Sequence, residues 1–220
     1  MYARLPNGRA TLRGARNAPG LPNKRQYQDR NVGSFGDSEG DLILCFDFDL
    51  TLTTRDSGGY PDISTEYFTD VQKWSIHALF SAVRSIFNCK IFIITRADQR
   101  MVVKYISERC DFMSGFIDGV YGSSARFPRT ELPSGSVAAH RDIAEGRDLA
   151  LRGTSQYWAN LKAFILGTIK SRNKNSRVLF FDDTQINIDA ARRRNISAFI
   201  VDRPSNLHTI TANAINSALA

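Results

Sequence analysis

No stretch of this chain approaches the roughly 18 consecutive apolar residues that a membrane-spanning helix requires, and its first residues carry no apolar stretch of the signal-peptide kind. These absences lead us to expect a soluble intracellular protein, cytoplasmic or nuclear. Cysteine is scarce. Cys45, Cys89 and Cys110 are odd in number, lack metal-site or disulfide spacing, and each lies in or beside an apolar run, so buried free thiols are expected. Histidine is equally scarce, and His77, His140 and His208 are too scattered for a metal site; His140 alone is a candidate for substrate contact. Internal repeats and a G-x-x-x-x-G-K phosphate loop are also missing, which excludes repeat architectures and P-loop chemistry.

What is present suffices for one sizeable core. The chain has 220 residues, 42% of them apolar, too few for two full domains of ordinary size. Its net charge of +7 is uneven: within residues 1–36, Arg4, Arg9, Arg13, Arg16, Lys24, Arg25 and Arg30 face Asp29 alone. Proline and glycine recur there and large apolar residues are few, so the segment cannot bury enough surface to offset the entropy of ordering. We therefore expect a disordered basic tail over 1–36 and a single domain over 37–220. The tail has three readings: an arm for nucleic acid or another polyanion, gaining affinity by releasing counterions; a solubilising leader; or, since residues 1–18 contain arginine and no acid, a mitochondrial transit peptide.

Within the domain, Leu42–Phe46, Ile91–Ile94, Val178–Phe181 and Ala198–Val201 are short apolar runs that read as strands buried on both faces. Apolar spacing predicts helices at about 66–87, 97–109, 155–171 and 185–194. The alternation implies an α/β fold of three layers, a central parallel sheet with helices on both faces and ligands at the carboxyl ends of the strands. Residues 122–153 differ, with Arg126, Arg129, Arg141, Pro128 and Pro133 and little periodicity beyond a short helix near Val137 to Glu145; they read as an irregular surface insertion. Arg192, Arg193 and Arg194 close a predicted helix, where cations favour the macrodipole, and read as structural.

Three of the strand ends carry polar residues that would converge: Asp47 with Asp49 and Thr51, then Thr95, then Asp182 with Asp183. A single such Asp would be read as a helix cap or turn residue. Several carboxylates at one sheet edge repel one another unless a cation neutralises them, and an oxygen-rich site suits magnesium.

Phe46-Asp47-Phe48-Asp49-Leu50-Thr51-Leu52-Thr53 resembles the first motif of the haloacid dehalogenase superfamily, a hydrophobic strand followed by D-x-D-x-T. Thr95 after Ile91-Phe92-Ile93-Ile94 resembles the second motif, Lys162 the third-motif lysine, and Phe180-Phe181-Asp182-Asp183 with Asn187 and Ala190-Ala191-Arg192 the fourth. The resemblance covers residues 42–202 and implies a capless or minimal-cap phosphatase with a Rossmann-like fold. It implies Asp47 as nucleophile through an aspartyl-phosphate, Asp49 as acid and base, and Thr95 and Lys162 as catalytic partners. It further implies Mg²⁺ held by Asp47, the Asp49 main-chain carbonyl and Asp183, with Asp182 supporting that shell. The second Asp of the first motif favours phosphoryl transfer over dehalogenation. Lys170 and Lys174 lie near enough to compete with Lys162, while Trp158, Phe164 and Ile165 read as core.

Two classes of function follow. One is a phosphomonoesterase acting on nucleic-acid ends, or else on phosphoproteins or nucleotides, with Thr51, Arg126, Arg129 and Arg141 as substrate-binding candidates. The other is a nucleic-acid-binding or structural protein that retains the fold and uses the tail. The intact carboxylates favour the first.

Overall fold

The computed structural model describes residues 42–123 and 154–219. Its strands are β1 (Leu42–Phe46), β2 (Cys89–Ile94), β3 (Gly119–Tyr121), β4 (Arg177–Asp182) and β5 (Ser197–Ile200), and its helices α1 (Asp70–Ile86), α2 (Gln99–Arg109), α3 (Asp111–Ser114), α4 (Ser155–Arg172), α5 (Gln185–Arg192) and α6 (Leu207–Leu219). The strands form one sheet in the order β3-β2-β1-β4-β5, parallel at every pairing. β1 is central, and all five of its residues are buried, as a strand covered on both faces requires.

Side-chain alternation along β1 divides the core in two. Leu42, Leu44 and Phe46 join Phe80 of α1, Tyr105 of α2 and Ile215 of α6, whereas Ile43 and Cys45 join Ile165 and Leu166 of α4 and Ile188 of α5. Phe46 stacks on Phe181 at 4.9 Å and tilts against Phe80 at 5.4 Å. This is the expected three-layer α/β architecture.

Several boundaries differ from expectation. α1 begins at Asp70 rather than near 66 because Thr69 caps it: the Thr69 hydroxyl accepts from the Gln72 N–H, and the Thr69 N–H donates back to Gln72 Oε1. α5 ends at Arg192, so Arg193 and Arg194 fall in the following turn, reversed at Asn195 with φ 56°. Two of the three make structural contacts: Arg192 donates to the Ala198 carbonyl and Arg194 lies over the Phe164 ring. β3, α3 and α6 were not anticipated. The three cysteines are free and buried. The His77 ring packs edge-on against Phe116. No described helix is long and apolar enough to cross a membrane. The tail over 1–36, and the insertion beyond Ser123 with its expected helix near Val137 to Glu145 and with His140, lie outside the described residues.

From β1 the chain passes outward through β2 and β3 with α1 and α2 on one face. It then returns to the other side of β1 for β4 and β5, with α4 and α5 on the opposite face. The direction therefore reverses between β1 and β4. Connections leaving the carboxyl ends of these two strands diverge, and a crevice opens there.

Candidate active site

The sheet register brings the first carboxylates together. Phe46 pairs with Phe181, so the next residues, Asp47 and Asp182, lie side by side, and the Asp47 N–H donates to the Phe181 carbonyl at 2.9 Å. Strand alternation turns both toward the face covered by α4. Lys162, on the inward side of α4, meets them there: its Nζ is 2.8 Å from Asp47 Oδ1 and 2.7 Å from Asp182 Oδ2. The contact to Asp182 is a hydrogen bond, and that to Asp47 is an ion pair at hydrogen-bond distance. Lys162 is 3% exposed, and burying one ammonium is tolerable because two carboxylates face it. Lys170 instead donates to the Asn195 carbonyl at the surface.

Asp182 is wholly buried and occupied by structure. Besides Lys162 it accepts from the Thr184 N–H at 2.9 Å and from Asn187 Nδ2 at 2.8 Å. Asp183 is half-buried and faces a cavity of about 240 Å³ at the crevice, lined also by Asp47, Asp49, Thr95 and Lys162. Carboxylate oxygens of Asp47, Asp182 and Asp183 lie within 4.8 Å of one another.

The electrostatics follow from this crowding. Burial pushes the Asp47 carboxyl from its ordinary 3.8 up to about 8, with Lys162 pulling down and Asp182 and Asp183 adding to the rise. Burial raises Asp183 too, and Asp182 adds to it. Burial opposes the charge on Lys162, but Asp182 and Asp47 outweigh that effect and hold the ammonium above the ordinary lysine range. One ammonium thus does not neutralise the cluster, and the oxygen donor set fits a hard divalent cation.

The chain after β1 makes a tight turn. The N–H groups of Leu52 and Thr53 donate to the Phe48 carbonyl, and Leu50 takes a left-handed φ of 60°, a strained conformation for a branched residue and one found at functional sites. Asp49 emerges half-buried at the cavity wall, where Ser57 donates its N–H to Oδ1 at 3.0 Å and its hydroxyl to Oδ2 at 2.9 Å. Burial raises the Asp49 carboxyl and the Ser57 donors oppose the rise. Across the cavity, Thr95 Oγ1 accepts from the Ala97 N–H at 3.1 Å, which leaves the hydroxyl proton to be donated elsewhere.

Two expectations are corrected. Thr51 is fully buried and does not line the cavity, because the turn closed on the Phe48 carbonyl folds it inward; it is not a substrate contact there. Trp158, read as core, is half-buried and forms part of the cavity wall with Ile186. Sequence reasoning also passed over Ser57, Asp56 and Arg96, which are set by loop shape rather than by any period. Arg126, Arg129 and Arg141 lie outside the described residues.

Fold and site together define a doubly wound α/β protein with a carboxylate–lysine cluster at its switch point. No family model matches the chain, and no curated protein matches it. Among solved structures it is similar to an uncharacterized protein from Corynebacterium glutamicum, at 13% identity over 80% of this chain and 96% of that one, with a TM-score of 0.42. It is also similar to D,D-heptose 1.7-bisphosphate phosphatase from B. bronchiseptica, complexed with magnesium and phosphate, at 12% identity over 78% and 86% of the two chains, with a TM-score of 0.41. Neither likeness assigns a family or an activity.

Proposed function

We propose that the protein is a magnesium-dependent phosphomonoesterase of the haloacid dehalogenase type, working through an aspartyl-phosphate on Asp47. The observation that carries this reading is the meeting of Asp47, Asp183 and Lys162 in one cavity at the β1/β4 switch point, with Asp49 at its wall. Mg²⁺, held by Asp47, Asp183 and the Asp49 main-chain carbonyl, would supply positive charge that lets an anionic nucleophile meet an anionic substrate.

In the first step an Asp47 oxygen bonds to phosphorus while the bond to the leaving oxygen breaks, and Asp49 gives that oxygen its proton. In the second, water attacks phosphorus, the bond to Asp47 breaks, and the proton released by water returns to Asp49. The elevated Asp49 pKa suits a residue that must first be an acid and then a base. Lys162 holds the nucleophile in place and offsets its charge, and the Thr95 hydroxyl donates to a phosphoryl oxygen.

Residues 47–69 contain no helix or strand, so the connection from β1 to α1 is a flap rather than a cap domain. An approach open on this side favours a polymer end, and nucleic-acid ends are the substrate class we favour. The test is hydrolysis of an aryl phosphate with magnesium and with EDTA, then comparison of phosphorylated oligonucleotides, phosphopeptides and free nucleotides by kcat/KM. Magnesium-dependent turnover with oligonucleotides preferred is expected. Absence of turnover with magnesium contradicts the enzymatic reading, and a wide preference for free nucleotides contradicts the open-site reading.

A further inference from the structure

We propose that Ser57 is a positioning residue that aims the Asp49 carboxyl at the leaving oxygen; the inference rests on the phosphatase reading above. Asp49 sits on a turn outside the sheet, so no strand fixes its side chain. Ser57 does so instead, with two donors converging on the two carboxylate oxygens at 3.0 and 2.9 Å.

The loop that brings Ser57 there is itself built and anchored. The Thr53 hydroxyl donates to the Arg55 carbonyl at 2.8 Å, and the Thr54 N–H to the Tyr67 carbonyl at 2.9 Å. Gly58 and Gly59, with φ of 63° and 89°, reverse the chain immediately after Ser57, in a region open mainly to glycine. Beyond them the Gly59 carbonyl accepts from the N–H of Asp98 at 2.8 Å, and Asp98 caps α2 by accepting from the Arg100 and Met101 N–H groups. The serine is thus tied to a helix terminus on one side and to the first turn on the other.

Its chemistry also suits the task. A carboxyl group that alternates between acid and base presents a proton in one state and none in the other. A main-chain N–H can donate to the carboxylate and to the carbonyl oxygen of the acid alike, and a hydroxyl adds a second donor to the carboxylate. Ser57 supplies one of each, so Asp49 keeps a partner in both states and its proton stays free for the leaving oxygen.

The proposal separates substrates by leaving group. A poor leaving alcohol needs the Asp49 proton as the ester bond breaks; a dinitrophenolate does not. kcat/KM reports the steps through this first bond cleavage, whereas kcat also includes the second step, which uses Asp49 as base for either substrate.

The experiment compares wild type, Ser57→Ala and Ser57→Thr in the full chain with magnesium, on glycerol phosphate and on dinitrophenyl phosphate. Ser57→Ala is expected to lower kcat/KM for glycerol phosphate roughly tenfold or more, the scale of one hydrogen bond to a charged group. For dinitrophenyl phosphate it should change kcat/KM by less than about twofold, since no proton is needed at that leaving oxygen. Ser57→Thr, which keeps the hydroxyl, should recover most of the loss. Equal losses on both substrates would mean that the serine only shapes the loop, and that result overturns the proposal. So does unchanged turnover of glycerol phosphate. Failure of the wild type on both substrates overturns the phosphatase reading and this inference with it.

Discussion

Asp47 carries the sharpest tension in the molecule. A buried carboxyl raised from 3.8 to about 8 keeps its proton in the folded chain at pH values where the unfolded chain has lost it, so its contribution to stability falls as pH rises through that window. Asp47→Asn removes the ionisation. In EDTA, the wild type should lose urea-unfolding stability between about pH 5 and 8 relative to Asp47→Asn, while only the wild type should gain thermal stability on adding magnesium. Parallel pH profiles for the two proteins would show that Asp47 does not hold an unfavourable charge. At this scale the sequence was most informative where side chains end strands. Asp47, Asp49, Thr95 and Asp183 stand where apolar runs stop, and all reach the cavity. Thr51 misled because two residues of spacing say nothing about which way a left-handed turn at Leu50 sends the chain. Trp158 misled because an apolar stripe looks the same whether it faces a core or a cavity.

Among the elements, α1 shows how a few polar contacts set a boundary that periodicity cannot. Apolar spacing runs back to residue 66, yet the helix waits for the Thr69 cap, and Gln72 Nε2 additionally donates to the Leu52 carbonyl, joining the helix start to the first turn. Thr69→Ala should cost about 1 kcal/mol in chemical denaturation, with magnesium affinity unchanged because the cap lies away from the cavity. A loss within error would mean that Gln72 holds the helix start without Thr69. β3 escaped notice because only Gly119, Val120 and Tyr121 pair. Gly119 has little strand propensity, and the strand exists because Phe92, Ile93 and Ile94 offer it a partner. α6 was more readable than that: Leu207, Ile210, Ala214, Ile215 and Ala218 recur at helical spacing and pack on the core, after Pro204 marks the turn before them. Gly122 would have resisted any periodic analysis. A Cβ there would collide with the Ala97 carbonyl and the Gln99 backbone, so glycine permits the close approach that places the end of β3 against the loop after Thr95.

For the molecule as a whole, strands that are parallel at every pairing end at one edge of the sheet, and the crevice opens at that edge where the order of winding reverses between β1 and β4, which is why strand ends alone located the cavity. The three cysteines belong to the opposite circumstance. All are buried, and burial pushes the Cys89 and Cys110 thiols up to about 12 and Cys45 higher still. The native protein should react slowly with a thiol reagent, and all three should react at once in urea; rapid labelling of one cysteine in the native state would contradict this packing. The basic tail makes a separate prediction, because most of the net charge of +7 lies within residues 1–36. Deleting them should leave aryl phosphate hydrolysis unchanged and weaken oligonucleotide binding, with a salt dependence of about 0.7 in log-log slope per phosphate neutralised on a single strand. Equal affinity at low salt with and without the tail would make it a leader and nothing more. The central claim, that Asp47 takes the phosphoryl group, is tested most directly by quenching the enzyme during turnover and reducing it with borohydride, which converts an acyl phosphate to an alcohol. Peptide mapping should then find homoserine in place of Asp47 only when substrate and magnesium were both present; an unmodified Asp47 in a turning-over enzyme, or homoserine at Asp49 or Asp183 instead, would contradict the account.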